Sequence, residues 1–221
     1  MMNDMNENSI SFFTNKIHNG ECLSILKTIP DKSVKCTITD PPYGVDLNYG
    51  STYIDSFDNW KKMIDEFLHE AIRISQGAVL ISTSKLEAES YLFTKHQPIW
   101  RICWYKGASC TRSPIGFKDW ETLFVYGNTK GIQIHDYFMV HANRIRKQVP
   151  GHPCPKPLDW ARWLISRFSK ENDIILDPFI GTGSVGVIAK RNKRNFIGIE
   201  ISPDYVKIAQ ERLDKTTSPM F

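Results

Sequence analysis

Two short segments of the chain carry side chains whose type and spacing could do chemistry. The first is Asp40-Pro41-Pro42-Tyr43, which closes the β-branched run at residues 34–39. Two successive prolines can neither continue a strand nor offer a backbone N–H, so the chain must leave a sheet at this point. What they leave is a carboxylate and a rigidly held carbonyl, an acceptor pair with no competing backbone donor. Such a pair can bond both hydrogens of an aromatic amino group, favour a tetrahedral nitrogen and aim its lone pair at an electrophilic methyl group. Tyr43 adds a ring on which a base could stack. The second segment is Asp177, then Gly181-x-Gly183-x-x-Gly186, with Glu200 ending the next apolar run. Glycines at this spacing let the backbone approach a ligand, and an acidic residue about 20 positions on can bind ribose hydroxyls. A carboxylate at Asp177 would repel a pyrophosphate but attract a cation such as the ammonium of S-adenosylmethionine. That shifts the reading from a dinucleotide to S-adenosylmethionine.

The elements that must position these groups alternate along the sequence. Short apolar runs at 34–39, 78–83, 100–105, 122–126, 174–176 and 196–201 read as strands, and a further short strand is expected at 16–19. Between them, helical spacing is expected over 21–29, stopped by Pro30, and over 59–75, where Trp60, Met63, Ile64, Phe67, Leu68, Ala71 and Ile72 form one stripe. Residues 86–93 read as a helix, another is opened by Pro157, one ends near Lys190, and the last spans 203–213 with Ser202 as its expected cap. Residues 127–150 read as irregular. This alternation predicts an α/β fold, a doubly wound and mostly parallel sheet. Because the glycine turn and Glu200 lie late in the chain, the rest of the sheet must come from earlier residues, and the order of elements is permuted.

The chain has 221 residues and a formal net charge of +4, with 41% hydrophobic and 12% aromatic residues. That composition supports one packed domain and excludes a disordered chain. The mildly basic balance is compatible with a polyanionic partner without requiring one. No apolar run reaches the roughly 18–20 residues of a membrane span. The polar, acidic first residues lack the order of a signal peptide, so a cytoplasmic protein is expected. Five cysteines, at 22, 36, 103, 110 and 154, form no CxxC pair, so neither a disulfide framework nor a metal site is supported.

The segments TDPPYG at 39–44, HPCPKP at 152–157, DPFIGTG at 177–183 and GIEIS at 198–202 resemble, in that order, the beta-class amino DNA methyltransferases. The resemblance covers residues 16–213. It implies a Rossmann-like S-adenosylmethionine-dependent methyltransferase fold in which the catalytic segment precedes the cofactor segment. It further implies that Asp40, Pro41, Pro42 and Tyr43 are the catalytic tetrad. Phe179, Gly181 and Gly183 would form the cofactor turn, Asp177 would lie beside the methionine moiety, and Glu200 would take the ribose hydroxyls. His152 and Lys156 match the segment whose helix start packs at the methionine end. Glu21 and Cys22 match a segment that approaches the adenine ring, with Glu21 standing where Asp is commoner. The substrate implied is double-stranded DNA, its target base flipped out, in a setting such as restriction–modification, with a homodimer as one candidate assembly.

Relatives often carry a target-recognition domain where this chain has only residues 127–151. Sequence reading would then fall to that short basic insert, with Arg144, Arg146 and Lys147, and to the loops at 45–58 and 107–119, where Arg112 lies. Transfer to adenine N6 is the leading reading, because adenine enzymes of this class mostly carry DPPY whereas cytosine enzymes favour a serine first. Cytosine N4 is the alternative. An oxidoreductase would leave Asp40–Tyr43 unexplained, and a binding protein without catalysis would not need the intact tetrad.

Overall fold

The computed structural model describes residues 10–44, 54–107, 112–141 and 155–217, except for the Arg112 side chain. In chain order its strands are β1 (Lys16–Asn19), β2 (Cys36–Thr39), β3 (Ala78–Thr83), β4 (Trp100–Tyr105), β5 (Arg112–Ser113), β6 (Gly116–Phe117), β7 (Trp120–Gly127), β8 (Tyr137–Met139), β9 (Ile174–Asp177) and β10 (Asn195–Glu200). The helices used below are α1 (Cys22–Leu26), α2 (Phe57–Ile74), α3 (Leu86–His96), α4 (Leu158–Phe168), α5 (Ser184–Arg191) and α6 (Pro203–Asp214).

Eight strands form one sheet in the order β1-β10-β9-β2-β3-β7-β4-β8, and β5 and β6 form a separate hairpin. Among the described strands of the sheet, β7 alone runs against its neighbours β3 and β4; the other pairings are parallel. Successive residues of the central strands go to opposite faces, and both faces are covered. Cys36, Ile38, Ala78, Leu80 and Ile175 pack with α4 and α5 through Trp160, Leu164, Val185 and Ile188. Val79, Ile81, Leu176, Ile197 and Ile199 pack on the other side with Leu26 of α1, Phe67 of α2 and Leu92 of α3. Strands buried on both faces carry unbroken apolar runs, which is why their sequences read as strands without alternation.

The sheet is the expected one, with several local differences. α1 ends at Leu26, and residues 27–29 continue as tighter turns in which Thr28 and Ile29 donate to the carbonyls of Ile25 and Leu26. α2 begins at Phe57 because the Ser56 hydroxyl accepts the Asn59 N–H. The expected cap at Ser202 is not made by its side chain; instead its N–H donates to the Glu200 carboxylate. Residues 127–141 are not wholly irregular. β8 lies among them and adds the eighth strand beside β4, so part of the insert builds the sheet.

Candidate active site

From β2 the chain crosses through α2 to β3 on one side, whereas from β9 it crosses through α5 to β10 on the other. β2 and β9 are therefore neighbours at the point where the strand order reverses, and a crevice opens beyond their carboxyl ends. Asp40 follows the last residue of β2 and Asp177 is the last of β9. The Thr39 hydroxyl spans the two strands and donates to Asp177 Oδ1 at 2.7 Å. The same oxygen accepts the Phe179 N–H at 3.2 Å. Glu200, ending β10, accepts the Gly181 N–H at 2.9 Å and the Ser202 N–H at 2.8 Å.

These three carboxyl groups lie at the ends of three adjacent strands; Asp40 has an ammonium beside it, whereas Asp177 and Glu200 have only uncharged donors among the described residues. Burial raises Asp40, against the opposing pull of Lys156. Burial likewise pushes Asp177 up to about 7, opposed by the bonds from Thr39 and Phe179 and reinforced by Asp40 and Glu200. Glu200 is also raised by burial, against its backbone donors. Two neighbouring buried carboxyl groups, Asp177 and Glu200, held by uncharged donors fit a cationic ligand, which a sulfonium bearing an amino acid would be. The donor set therefore suits S-adenosylmethionine better than a pyrophosphate.

The glycine turn divides its labour. Gly181 has φ +51° and gives its N–H to Glu200, so the acidic residue and the turn hold each other. Gly183 has φ +86°, and a Cβ there would meet Ala209 Cβ at 3.0 Å and Cα at 3.3 Å. Its missing side chain thus lets α6 approach α5. Phe179 packs edge-on against Phe67 at 5.4 Å.

On the β2 side, the Tyr43 hydroxyl donates to Asp40 Oδ1. Lys156 Nζ lies 3.0 Å from the same oxygen, 3.1 Å from the Tyr43 hydroxyl and 3.1 Å from Glu121 Oε2. Lys106 Nζ is 3.1 Å from the other Glu121 oxygen. Lys156 is thus brought to Asp40, though its sequence match suggested the methionine end of a cofactor. Burial works to raise Glu121, but Lys156 and Lys106 outweigh it and hold its carboxyl below the ordinary range. Neither Glu121 nor Lys106 was singled out in the sequence. The one available signal was a Glu in an otherwise apolar strand.

Glu21, matched in sequence to a residue near the adenine ring, stands at the start of α1. Its carboxylate caps α1, accepting the N–H groups of Leu23 at 2.9 Å and Ser24 at 2.7 Å. Cys22 lies in the core beside Leu26, and burial pushes its thiol far up. His152, Arg144, Arg146 and Lys147 lie outside the described residues, as does the Arg112 side chain.

A family model described as DNA methylase, N6_N4_Mtase, matches residues 91–211, more than half of the chain. The chain belongs to this DNA methylase family. Among individual relatives, Type II methyltransferase M.HpaI of Haemophilus parainfluenzae is 28% identical over 87% of this chain and 72% of its own length. DNA adenine methyltransferase YhdJ of Escherichia coli K12 is 27% identical over 90% of this chain and 82% of its own. Two solved structures share the fold. The putative DNA modification methylase TTHA0409 of Thermus thermophilus, complexed with S-adenosyl-L-methionine, superposes with a TM-score of 0.69 at 21% identity, over 91% of this chain and 93% of that one. The cytosine-N4-specific PvuII DNA methyltransferase gives 0.71 at 15% identity, over 91% and 87%. The beta-class resemblance read from the four motifs is thereby confirmed, and with it a DNA methyltransferase on a mostly parallel α/β sheet.

Proposed function

We propose that this DNA methyltransferase transfers the methyl group of S-adenosylmethionine to the exocyclic N6 of adenine in duplex DNA, with Asp40, Pro41, Pro42 and Tyr43 as its catalytic residues. The observation that carries the reading is the placement of Asp40 and Asp177 beyond the ends of the neighbouring strands β2 and β9, at the reversal of strand order, with the Thr39 hydroxyl bridging to Asp177. The cofactor supplies an electrophilic methyl carbon on a sulfonium. Asp177 holds a cationic group at the end of β9. Glu200 retains lone pairs on both oxygens beyond those used by Gly181 and Ser202, enough to accept ribose hydroxyls. Gly181, Gly183 and Phe179 shape the turn between these two carboxylates.

On the substrate side, the Asp40 carboxylate and a carbonyl held rigid by the prolines accept the two amino hydrogens and orient the nitrogen lone pair. The base must leave the duplex stack to reach them, at a cost of a few kcal/mol, part of which stacking on Tyr43 returns. Arg144, Arg146 and Lys147 of the insert at 127–151, together with Arg112, are the basic residues assigned to gripping DNA. The preference for adenine rests on the aspartate that opens the tetrad, and the relative named a DNA adenine methyltransferase supports it.

Duplex DNA incubated with tritiated cofactor, then digested to nucleosides and separated, tests both levels. Label in N6-methyladenine is the expected result. Label in N4-methylcytosine overturns the adenine reading and leaves amino methylation standing; an unlabelled digest overturns both.

A further inference from the structure

The buried charge chain behind the tetrad has a role that its packing alone does not explain. Lys106, Glu121 and Lys156 are 4%, 10% and 9% exposed at their side chains, yet they run in contact to Asp40, which is 23% exposed. The chain holds two ammonium and two carboxylate groups, so it is neutral overall. Placing four charges where water is scarce is costly unless each is paired. Here each is. Lys156 has three oxygens around its ammonium, from Asp40, the Tyr43 hydroxyl and Glu121. It stands between Pro155 and Pro157, which restrict its backbone, and its carbonyl accepts the Ser184 hydroxyl at 2.8 Å, tying it to the start of α5.

The bonds at Asp40 are one-sided. Both Tyr43 and Lys156 use Oδ1, while Oδ2 carries neither bond. We infer that Lys156 is a positioning residue for methyl transfer, clamped by Glu121 and Lys106, which keeps Asp40 ionised and turns its free oxygen toward the incoming amino group. This rests on the catalytic reading of Asp40. The amino nitrogen forms its bond to the methyl carbon as the carbon–sulfur bond breaks, and the nitrogen then gives up one proton, which leaves by way of solvent. An ammonium on Asp40 makes the carboxylate a hydrogen-bond acceptor in that step and a poor store for the released proton. Glu121 acts oppositely on Asp40. It anchors Lys156 while offsetting part of its field, and the structure shows Lys156 lowering and Glu121 raising the Asp40 carboxyl.

The charged and titratable groups facing Asp40 are Tyr43 from its own loop, Lys156 ahead of α4, Glu121 on β7 with Lys106 behind it, and Asp177 on β9 with Glu200 beyond. The influences on Asp177 come from Thr39, Phe179, Asp40 and Glu200. A pH limb owed to Asp177 feels a change at Lys156 or Glu121 only through Asp40, and then in the opposite direction, whereas one owed to Asp40 moves directly.

The test is the pH dependence of single-turnover transfer from preformed enzyme–cofactor complex to duplex DNA. In Lys156→Met the acid limb moves up by about one pH unit or more, and in Glu121→Gln it moves down. Lys156→Arg keeps the charge and leaves the limb near its wild-type position. Cofactor affinity by calorimetry stays within about threefold of wild type in all three. Limbs that stay fixed, or move together, overturn the inference. So does loss of cofactor affinity in Lys156→Met, which would return Lys156 to the cofactor end. If Lys156→Met fails to fold, the downward shift in Glu121→Gln and the unmoved limb in Lys156→Arg decide alone. Failure of the catalytic reading is distinguishable, because then Asp40→Ala transfers methyl groups at the wild-type rate whatever the Lys156 variants do.

Discussion

The two sides of the crevice hold their carboxylates by different means. On the β9–β10 side the partners are mostly backbone. Phe179 N–H reaches Asp177 two residues back, and Ser202 N–H reaches Glu200 two residues back. On the β2 side Asp40 is held by side chains from elsewhere, Lys156 above all, with Glu121 and Lys106 behind it. A backbone-held carboxylate keeps its place while its charge is left partly uncompensated, which suits a cationic ligand that comes and goes. A carboxylate held by an ammonium has its charge set before any ligand arrives. On the proposed reading the contrast separates binding from catalysis, and substitutions should respect it.

The largest effect is expected at Asp40. Asp40→Ala should lower transfer by about a hundred- to a thousandfold while calorimetry finds cofactor affinity little changed. A parallel loss of affinity would erase the division between the two sides. Tyr43→Ala comes next, losing roughly 1–3 kcal/mol of stacking, about ten- to a hundredfold in rate, with part restored by a mismatch opposite the target base. Tyr43→Phe keeps the ring and loses the hydroxyl's bonds to Asp40 and Lys156, so its rate should stay within about tenfold of wild type.

On the other side of the crevice the expected losses are in stability and binding. Gly183→Val drives a Cβ into Ala209 at a positive φ and should cost roughly 1–3 kcal/mol in urea unfolding. Glycine spacing alone points to close approach of the backbone to a ligand; the direction of the missing side chain places the expected damage at the α5–α6 contact. Asp177 gives a pH signature. Its carboxyl stands at about 7 against an ordinary 3.8, so between about pH 4 and 7 the native state keeps a proton that the unfolded chain has released. Stability from this group therefore falls as pH rises through that window, by up to about 1.4 kcal/mol per unit, and levels off above it. Cofactor affinity should rise over the same range. Urea titrations near pH 5 and 8 should show a shallower decline in Asp177→Asn. The smallest effect is expected at Glu21→Ala, about 1 kcal/mol of stability from the lost cap, with cofactor affinity changing less.

The same contrast governs what the sequence could disclose. Asp177, Gly181 and Glu200 belong to one strand–turn–helix–strand unit, so their relation is written in local spacing. The strands were legible because their apolar runs are buried on both faces. Glu121 and Lys106 escaped, and Lys156 was legible as part of the HPCPKP segment but not as their partner, because nothing in their spacing says that they meet; only the register of β7 beside β4 sets Glu121 opposite Trp104. β8 escaped because three residues at a sheet edge carry too short a pattern. Glu21 was legible as an acidic residue in a familiar place, but its use as a helix cap depends on side-chain geometry that spacing does not contain.

The permuted order also bears on how the protein is made. Thr39 and Asp177, which join the two sides of the crevice, are 138 residues apart, and β1 pairs with β10, where Asn19 reaches the Glu200 carbonyl across 181 residues. During synthesis β2 leaves the ribosome long before β9 and waits with one edge unpaired. Pairings of such separation make folding slow for a domain of this size and leave a strand edge open to the wrong partner meanwhile. Because neither carboxylate of the crevice meets the other until β9 docks, a nascent chain has no assembled crevice before β9 and β10 have been translated.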